Sequence, residues 1–419
     1  MKSAGRKKKV GILSLGCPRN MVDSESILSR LKLKDYVITD MEDAEVGIVN
    51  TCAFIRAAKE ESIDAILSLL ELKKEGRLKK LIVCGCLPQR YKDELCGELR
   101  EVDAFIGKPC LDQPQRHFFL TPRHYAYLKI CEGCVNHCSF CVIPGIKGDF
   151  SSRDMGSLVK EARALDKKGV KELGIIGQDI TLYGRDLSGK QSLVALVKDI
   201  LKNTKGIRWV RLLYLYPSHI TDELLDLIGR EERICKYIDI PLQHINERIL
   251  KTMNRRMSRD FIEKLIDKVR KKIPGVALRT SLMVGFPTET EEEFEELLEF
   301  VGRMEFERLG VFTYSREEGT GAYGLTPQVP DKIKNERFDK VMVKQQEISR
   351  RVNGRFLGKT VEVLVDEKGQ GHYLGRSFAD APEVDGNVFI NTSYKIKTGD
   401  FVKCRITDTL EYDLVGEPI

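Results

Sequence analysis

Three cysteines within one eight-residue loop constrain this chain more than any other feature of its sequence. Cys134, Cys138 and Cys141 have the spacing C-x3-C-x2-C. Three thiolates so close together can bind three irons of a cubane 4Fe–4S cluster and leave the fourth iron without a protein ligand. Because a small molecule can bind at that open iron, the loop predicts a cluster that takes part in chemistry.

A structural zinc site is the alternative for this loop. Such sites usually take four ligands from two separated pairs, and no cysteine or histidine pair follows Cys141 at zinc-finger spacing. The spacing therefore favours the iron–sulfur cluster, although a short motif by itself leaves the zinc site open.

The length and composition indicate a cytoplasmic protein with several domains. The chain has 419 residues and 42% hydrophobic content, enough for two or three apolar cores. No stretch reaches the ~18 consecutive apolar residues of a membrane span. The run Val10–Leu15 is too short for a signal peptide and predicts a strand. In the cytoplasm, metal or cluster binding explains twelve cysteines better than disulfides do.

Residues 10 to about 120 alternate short strands with helices, which predicts a parallel, Rossmann-like α/β sheet. The strand candidates are Lys9–Leu15, Val46–Asn50 and Leu81–Cys84, and the helix candidates between them are Asp23–Leu33 and Ala57–Glu75.

Three further cysteines, Cys17, Cys52 and Cys86, follow those three strands. Open α/β sheets bind ligands at the carboxyl ends of their strands, so neighbouring strands would bring the three sulfurs together as a second cluster site. A glycine or an Asn-Thr pair precedes each cysteine, which suits tight turns close to a cluster. Single cysteines are also commonly buried as small hydrophobic residues, and that alternative stays open.

The middle of the chain continues the alternation for about six β/α units, which predicts a partial barrel with functional groups on the loops after its strands. The strand candidates are Ala126–Ile130, Glu172–Ile176, Trp209–Leu213, Tyr237–Ile240, Ala277–Val284 and Arg308–Thr313.

From about Phe356 the pattern changes to short strands separated by glycines, which predicts a small all-β barrel of the OB type. A helix over Arg337–Arg355 connects it to the preceding region. The strand candidates are Thr360–Val365, Tyr373–Ser377, Asn387–Ile390 and Phe401–Leu410.

Nearly the whole chain resembles the methylthiotransferases, radical S-adenosylmethionine (SAM) enzymes with two clusters. The motifs that carry the resemblance include Leu15-Gly16-Cys17-Pro18-Arg19-Asn20, Asn50-Thr51-Cys52, Gly85-Cys86-Leu87, the loop ending Cys141-Val142-Ile143-Pro144, Gly177-Gln178-Asp179, Val284-Gly285-Phe286-Pro287 and Tyr314-Ser315 with Glu318-Gly319-Thr320. The resemblance implies an N-terminal α/β domain over 1–123, a radical SAM partial (β/α)6 barrel over 124–353 and a C-terminal TRAM barrel over 354–419.

The resemblance also implies the site residues. Cys134, Cys138 and Cys141 are expected to hold the SAM-cleaving 4Fe–4S cluster, and Cys17, Cys52 and Cys86 the second 4Fe–4S cluster. The residues that it implies for SAM binding are Phe140 against the adenine, Gln178 and Asp179 at the amino group, Arg279 at the carboxylate by charge-assisted pairing, and Gly285. For Gln178, Asp179 and Arg279, an ordinary polar rim of the barrel is the alternative.

Two branches of the family compete. The RimO branch modifies an aspartate of ribosomal protein uS12, and the MiaB branch modifies isopentenyladenosine in tRNA. Pro18-Arg19-Asn20 after the first cysteine resembles the RimO pattern. Residues 354–419 contain eight basic and eleven acidic residues, which suits a basic ribosomal protein better than RNA phosphates.

The RimO resemblance implies the reaction and its partners. A methylthio group is inserted at the unactivated β-carbon of the aspartate, giving β-methylthioaspartate, and SAM serves both as radical source and as methyl donor. The expected partners are uS12, either free or within the ribosome, a one-electron donor such as flavodoxin or ferredoxin, and a sulfur donor, with no membrane involved.

Overall fold

The computed structural model describes residues 7–34, 36–108, 116, 118–189 and 191–419. These residues form two compact units. The first unit contains the described residues up to Thr121, together with Glu132–Arg153 and Ser315–Tyr323; the second contains Pro122–Cys131, Asp154–Tyr314 and Gly324–Ile419. This division into two units does not test the three domain bounds inferred from the sequence, which stay predictions. Cys110, for which the sequence suggested no role, lies outside the described residues.

The first unit is built on a parallel five-stranded sheet with the order β2-β1-β3-β4-β5. Its strands are β1 (Lys9–Ser14), β2 (Val37–Ile38), β3 (Val46–Thr51), β4 (Lys80–Gly85) and β5 (Ala104–Ile106). Its helices are α1 (Pro18–Leu33), α2 (Arg56–Lys74) and α3 (Cys86–Glu98). Apolar side chains alternate along the strands, so that α1 packs on one face of the sheet while α2 and α3 pack on the other.

The chain then passes through β6 (Tyr125–Lys129), β7 (Cys131–Glu132), α4 (Ile143–Lys147) and β8 (Ser151–Ser152). The cysteine loop lies between β7 and α4 and belongs to the first unit, whereas β6 belongs to the second. Ile146 of α4 packs in the same apolar cluster as Leu87 of α3.

The second unit contains the predicted partial barrel. Its described strands form two parallel three-stranded sheets, β6-β9-β10 and β11-β12-β13, and a parallel bridge joins Val210 to Ile234 where the two sheets adjoin. The new strands are β9 (Glu172–Ile176), β10 (Trp209–Leu212), β11 (Tyr237–Asp239), β12 (Ala277–Val284) and β13 (Arg308–Thr313).

The helices of this half barrel all begin after a short polar residue whose side chain accepts a backbone N–H of the first turn. They are α5 (Met155–Lys167), α6 (Leu193–Asn203), α7 (Asp222–Arg230), α8 (Glu247–Thr252), α9 (Arg259–Lys272) and α10 (Glu291–Met304). The capping residues are Asp154, Ser192, Thr221, Asn246, Ser258 and Thr290. The partial barrel predicted from the strand–helix rhythm is confirmed.

Helix α11 (Asp331–Gly354) leads to a closed five-stranded barrel with the order β14-β15-β16-β18-β17. Its strands are β14 (Thr360–Lys368), β15 (Tyr373–Arg376), β16 (Val388–Ile390), β17 (Phe401–Thr409) and β18 (Leu414–Pro418). The sequence predicts four of these strands but not β18, whose Gly416 and Pro418 are residue types depleted in strands. Pairing of β18 with β16 and β17 closes the barrel.

Nearly half of the acidic residues of this C-terminal barrel contact other parts of the second unit. Five of the eleven contact half-barrel residues: Glu362 with Arg208, Asp366 with His124, Asp380 with Arg308, Glu383 with Tyr125 and Asp385 with Tyr237. Apart from these five and the buried Arg376, seven basic and six acidic residues remain. The charge of the barrel surface therefore does not support the expectation that an acidic barrel recruits a basic substrate.

Every helix that the structure describes is too short or too polar to cross a lipid bilayer.

Candidate cluster-binding site

Cys17, Cys52 and Cys86 directly follow or nearly follow β1, β3 and β4, which are neighbours in the sheet. In a doubly wound sheet with the order 2-1-3-4-5, ligands bind where the strand order reverses, at the carboxyl ends of β1 and β3. Cys17 and Cys52 lie at that edge, and Cys86 begins α3 next to them. The structure therefore brings the three strand-end cysteines to the same edge of the sheet.

Two glycines allow the backbone to turn tightly at this edge. Gly16 has φ +83°, and a Cβ placed there would lie 2.7 Å from Cβ and 3.0 Å from Sγ of Cys52. Gly85 has φ +97°, and a Cβ there would lie 2.3 Å from Oδ1 of Asn50. An L side chain is strained at these angles and has no room in either place. The glycines that precede Cys17 and Cys86 are therefore required by the geometry.

A buried hydrogen-bond network ties the three strand ends together. The Asn20 side chain donates to the backbone carbonyls of Leu15, Asn50 and Thr51 at 2.7, 3.1 and 3.2 Å. The Thr51 hydroxyl donates to the Cys84 carbonyl at 2.7 Å. Through these bonds the loop of each cysteine is fixed to its neighbour. In the sequence, Asn20 and Thr51 stand out only as parts of motifs, and their positions beside the cysteines are the signal that points to this role.

The three thiols differ in their electrostatic environment. Burial opposes ionisation of Cys17, but Arg19, whose Nε lies 3.5 Å from Sγ, and Lys147 outweigh it and lower the pKa of that thiol. Burial raises the pKa of Cys52, and Cys17 adds to the shift. Burial raises the pKa of Cys86 to about 12, with contributions from Cys52 and Cys17 against Lys147. A cluster binds thiolates, so its assembly releases protons from Cys52 and Cys86.

Lys147 is a buried cation beside this cysteine site. Its ammonium lies 3.4 Å from Asp23 and 3.6 Å from Glu132, and all three side chains are at most 5% exposed. Burial opposes the charge of Lys147, but the two carboxylates outweigh it and raise its pKa above the ordinary value. The sequence does not indicate Lys147 as a site residue, because nothing in its neighbourhood distinguishes it from a surface lysine.

Cys134, Cys138 and Cys141 lie in the loop between β7 and α4, and each is partly exposed. The Cys141 N–H donates to the Cys138 carbonyl at 3.0 Å, which closes a tight turn. The Asn136 backbone N–H and side-chain amide both lie 3.5 Å from Sγ of Cys134. Burial raises the pKa of Cys141 to about 12, and Cys138 and Cys134 contribute to the shift. This trio is therefore also gathered in one place, within the same compact unit as the first.

Neither trio has the geometry of a single-ion site. Across the part of the chain that the structure describes, no three His, Cys, Asp or Glu side chains converge closely enough to hold one metal ion. A cubane attaches each thiolate to a different iron, so its ligands are held further apart than those of one zinc ion. The open loops, tight turns and thiol chemistry of both trios fit 4Fe–4S clusters.

The residues predicted to bind SAM are divided between the units. Phe140 is partly exposed in the first unit, and Gln178, Asp179, Gly285 and Arg279 lie in the second. Gln178 and Asp179 follow β9, and Gly285 follows β12, so these three lie at carboxyl ends of half-barrel strands, where active sites of such barrels lie. The Asp179 carboxylate accepts a hydrogen bond from the Thr181 N–H at 3.0 Å and lies 3.2 Å from Nδ1 of His219.

Arg279 lies elsewhere, near the beginning of β12. Its guanidinium lies 3.1 Å from Asp239 and 3.4 Å from Asp385 of the C-terminal barrel. Two carboxylates that already bind this guanidinium leave it poorly placed for the carboxylate of a ligand. These contacts favour the structural alternative for Arg279 that the sequence analysis left open.

The three regions of the chain match known family models. A model of the radical SAM superfamily matches residues 128–301, a TRAM domain model matches residues 357–419, and the model of the uncharacterized protein family UPF0004 matches residues 9–107. The ribosomal protein uS12 methylthiotransferase RimO of Geotalea uraniireducens is 47% identical, with 99% of each chain covered. The enzyme of the same name from a Thermoanaerobacter species is 48% identical, with 98% of this chain and 100% of that protein covered. The chain belongs to the uS12 methylthiotransferase family.

Solved structures support the fold of this uS12 methylthiotransferase family member. The radical SAM methyltransferase TsrM from Kitasatospora setae, with tryptophan and aza-SAM bound, matches with a TM-score of 0.54 at 12% identity, covering 76% of this chain and 75% of TsrM. The cobalamin-dependent SAM radical enzyme OxsB matches with a TM-score of 0.50 at 13% identity, covering 82% of this chain and 56% of OxsB. The resemblance to a methylthiotransferase that the sequence motifs indicated is confirmed.

Proposed function

We propose that this protein inserts a methylthio group at the β-carbon of an aspartate of ribosomal protein uS12. Full-length relatives named for this activity, at 47% and 48% identity, support the assignment. The observation that carries the chemistry is the position of the six cysteines: two trios, each with its own loop architecture, in one compact unit.

The cofactors are two 4Fe–4S clusters and SAM. Cys134, Cys138 and Cys141 would hold the cluster that cleaves SAM reductively, Cys17, Cys52 and Cys86 would hold the cluster that carries the sulfur to be inserted, and a second SAM supplies the methyl group. Phe140, Gln178, Asp179 and Gly285 are the residues that the family resemblance implies for SAM binding. The chain's own contribution is to fix these groups in place and to exclude water from the reacting carbon.

The two trios differ in what their surroundings do. At Cys17, the nearby cations Arg19 and Lys147 favour a thiolate and would stabilise the negative charge of a bound cluster. At Cys134, the amide groups of Asn136 are placed to donate to the sulfur, and such hydrogen bonds tune the potential of a cluster. The half-barrel loops after β9 and β12 supply the polar groups for SAM.

The tRNA-modifying activity is the competing proposal. The full-length relatives are named for uS12 and not for tRNA. The C-terminal barrel also lacks the strong positive charge that phosphate binding favours, since the residues outside its half-barrel contacts nearly balance. We therefore propose uS12, free or in the ribosome, as the substrate, with a flavodoxin- or ferredoxin-type electron donor, a separate sulfur donor and a cytoplasmic location.

The substrate is tested by incubating the anaerobically reconstituted enzyme with uS12 and, separately, with isopentenyladenosine-containing tRNA. We expect mass spectrometry to detect added methylthio on the aspartate of uS12 and no methylthioadenosine. Methylthioadenosine without modified aspartate would overturn the proposal.

The two clusters are tested by counting iron. Wild-type protein should bind roughly eight irons per chain, and the triple variants C17A/C52A/C86A and C134A/C138A/C141A roughly four each. An unchanged count in the first variant would show that Cys17, Cys52 and Cys86 are not ligands. The double variant C235A/C404A, which removes two buried cysteines outside both trios, is the matched control and should keep all eight.

A further inference from the structure

The short segment Ser315–Tyr323 contacts the loops of both cysteine trios. It follows β13 in the chain but belongs to the first compact unit. Part of it is one of the sequence motifs, and neither the proposed reaction nor the cluster assignment gives it a role. In the structure, the segment contacts the Cys52 loop, α3 and the Cys138–Cys141 turn.

Glu317 is the anchor of this segment on the side of the Cys52 and Cys86 trio. Its carboxylate, 1% exposed, accepts hydrogen bonds from Lys59 at 2.8 Å, from Arg90 at 3.0 Å and from the Ser315 hydroxyl at 2.8 Å. Burial opposes its ionisation, but Lys59, Ser315 and Arg90 outweigh burial and hold the pKa of Glu317 below its ordinary value. The carboxylate is therefore a charged group that accepts three hydrogen bonds and is itself almost inaccessible to solvent.

The partners of Glu317 connect directly to the cluster loops. Arg90 also donates to the carbonyl of Ala53, the residue after Cys52, at 2.7 Å, and it lies one helical turn after Cys86 in α3. The N–H of Arg56, near the end of the Cys52 loop, donates to the Ser315 hydroxyl at 3.2 Å. One carboxylate thus holds, through Arg90, the backbone that carries Cys52 and the helix that carries Cys86.

The other end of the segment reaches the Cys134 trio. The Ala322 N–H donates to the carbonyl of Ser139, the residue after Cys138, at 2.7 Å, and Gly321 packs on the same serine. Between the two ends, the Thr320 hydroxyl and N–H both bond the Glu317 carbonyl, at 2.6 and 3.3 Å, which makes the segment a compact turn. This compact turn is therefore hydrogen-bonded to both loops.

We propose that Glu317 is a positioning residue that holds the two cluster loops at a fixed separation, so that sulfur carried at Cys17, Cys52 and Cys86 stays within reach of the carbon activated by SAM cleavage at the other trio. The inference rests on the proposed function. Neither loop needs Glu317 as a ligand, so its loss uncouples the two trios and leaves each able to bind a cluster. The number of sulfur insertions per SAM cleaved then falls.

The variant E317Q tests this proposal, because it keeps the shape of the side chain and removes the charge that binds Lys59 and Arg90. The matched control is E318Q, the adjacent exposed glutamate, whose backbone carbonyl and not its side chain contacts Arg90. Both variants are reconstituted anaerobically, iron is counted, and pulsed electron paramagnetic resonance of the doubly reduced protein measures the magnetic interaction between the clusters.

We expect E317Q to bind as much iron as wild type and to cleave SAM within twofold of it. Its cluster–cluster interaction should change, and the methylthioaspartate formed on uS12 per SAM cleaved should fall at least tenfold. E318Q should match wild type in all four measurements. An E317Q protein with wild-type magnetic interaction and wild-type product ratio would overturn the proposal.

Two other results would each require a different comparison. If E317Q binds less iron, the same comparison is made with R90M, which keeps Glu317 and its bond to Lys59 but removes the guanidinium that joins the carboxylate to the Ala53 carbonyl; wild-type coupling in R90M then overturns the proposal. If wild type itself forms no methylthioaspartate, the proposed function fails, and the magnetic interaction alone decides whether Glu317 sets the separation.

Discussion

Arg376 of β15 donates a hydrogen bond at 2.6 Å to Glu172 at the beginning of β9, and both side chains are at most 4% exposed. Arg211 of β10 donates to the other oxygen of the same carboxylate at 2.7 Å. Burial opposes the charge of Glu172, but Arg376 and Arg211 outweigh it and lower its pKa. The C-terminal barrel is thus joined to the half barrel through a shared buried carboxylate, and not only through apolar contact.

Replacing Arg376 by methionine should destabilise the protein by about 3 to 5 kcal/mol, because it leaves buried charge on Glu172 and on Asp366 incompletely paired. The free energy of unfolding from urea titration measures the effect. K403M, which removes an exposed cation from β17 of the same barrel, is the control and should change stability by less than about 1 kcal/mol. Equal effects of the two substitutions would contradict the interpretation of this interface.

Replacing Gly85 by alanine should abolish the second cluster, because the new Cβ would overlap Oδ1 of Asn50 and displace the turn before Cys86. We expect roughly four irons per chain instead of roughly eight. The control is G76A at the end of α2, where φ is +75° but a Cβ meets no atom within 4 Å. That variant should lose only about 1 kcal/mol of stability and keep its iron. A full iron count in G85A would show that this close approach is not required.

Replacing Lys147 by methionine should make the reduction potential of the second cluster more negative, because it removes a buried cation that acts on Cys17 and Cys86. Coulomb's law with a screened interior gives a shift on the order of 50 mV. The potential is measured by redox titration in the C134A/C138A/C141A background, which isolates this cluster. K92M, at an exposed position of α3, should leave the potential unchanged, and a similar shift in both variants would refute the role of Lys147.

His244 should make stability fall as the pH is lowered. Burial lowers its pKa to about 3, whereas the unfolded chain has an ordinary histidine pKa of about 6.5. Below pH 6.5 the unfolded state therefore binds a proton that the folded state does not bind. The free energy of unfolding falls by up to about 1.4 kcal/mol for each pH unit between 6.5 and the folded pKa. Above pH 6.5 the contribution of the neutral ring is complete.

Urea unfolding of wild type and H244Q between pH 7.5 and pH 4 checks this prediction, since both proteins share all other titrating groups. The wild type should lose stability more steeply. Parallel curves would show that His244 titrates in the folded protein. Because the ring stays neutral at working pH, the pH profile of SAM cleavage should have the same shape in both proteins.

Local patterns predicted much of the fold. The bounds of β9, β12 and β13 agree with the sequence-based strands residue for residue, because apolar runs between helical patterns depend only on near neighbours in the chain. Helix α3 and strand β18 escaped prediction. The former begins with Cys86-Leu87-Pro88 and is kinked at Tyr91, and the latter is stabilised by pairing with strands that are distant in sequence.

The sequence by itself determined the family, most of the strands and helices, and the identity of six thiols in two patterns, because these depend on residue type and spacing. Only the tertiary structure decided which distant groups meet. Glu317 pairs with Lys59, which is 258 positions away in the sequence, and Arg376 pairs with Glu172, which is 204 positions away. In the sequence, these charged residues cannot be distinguished from ordinary surface residues. Both the free-energy cost of burying a charge and the partner that offsets this cost arise only when the chain folds.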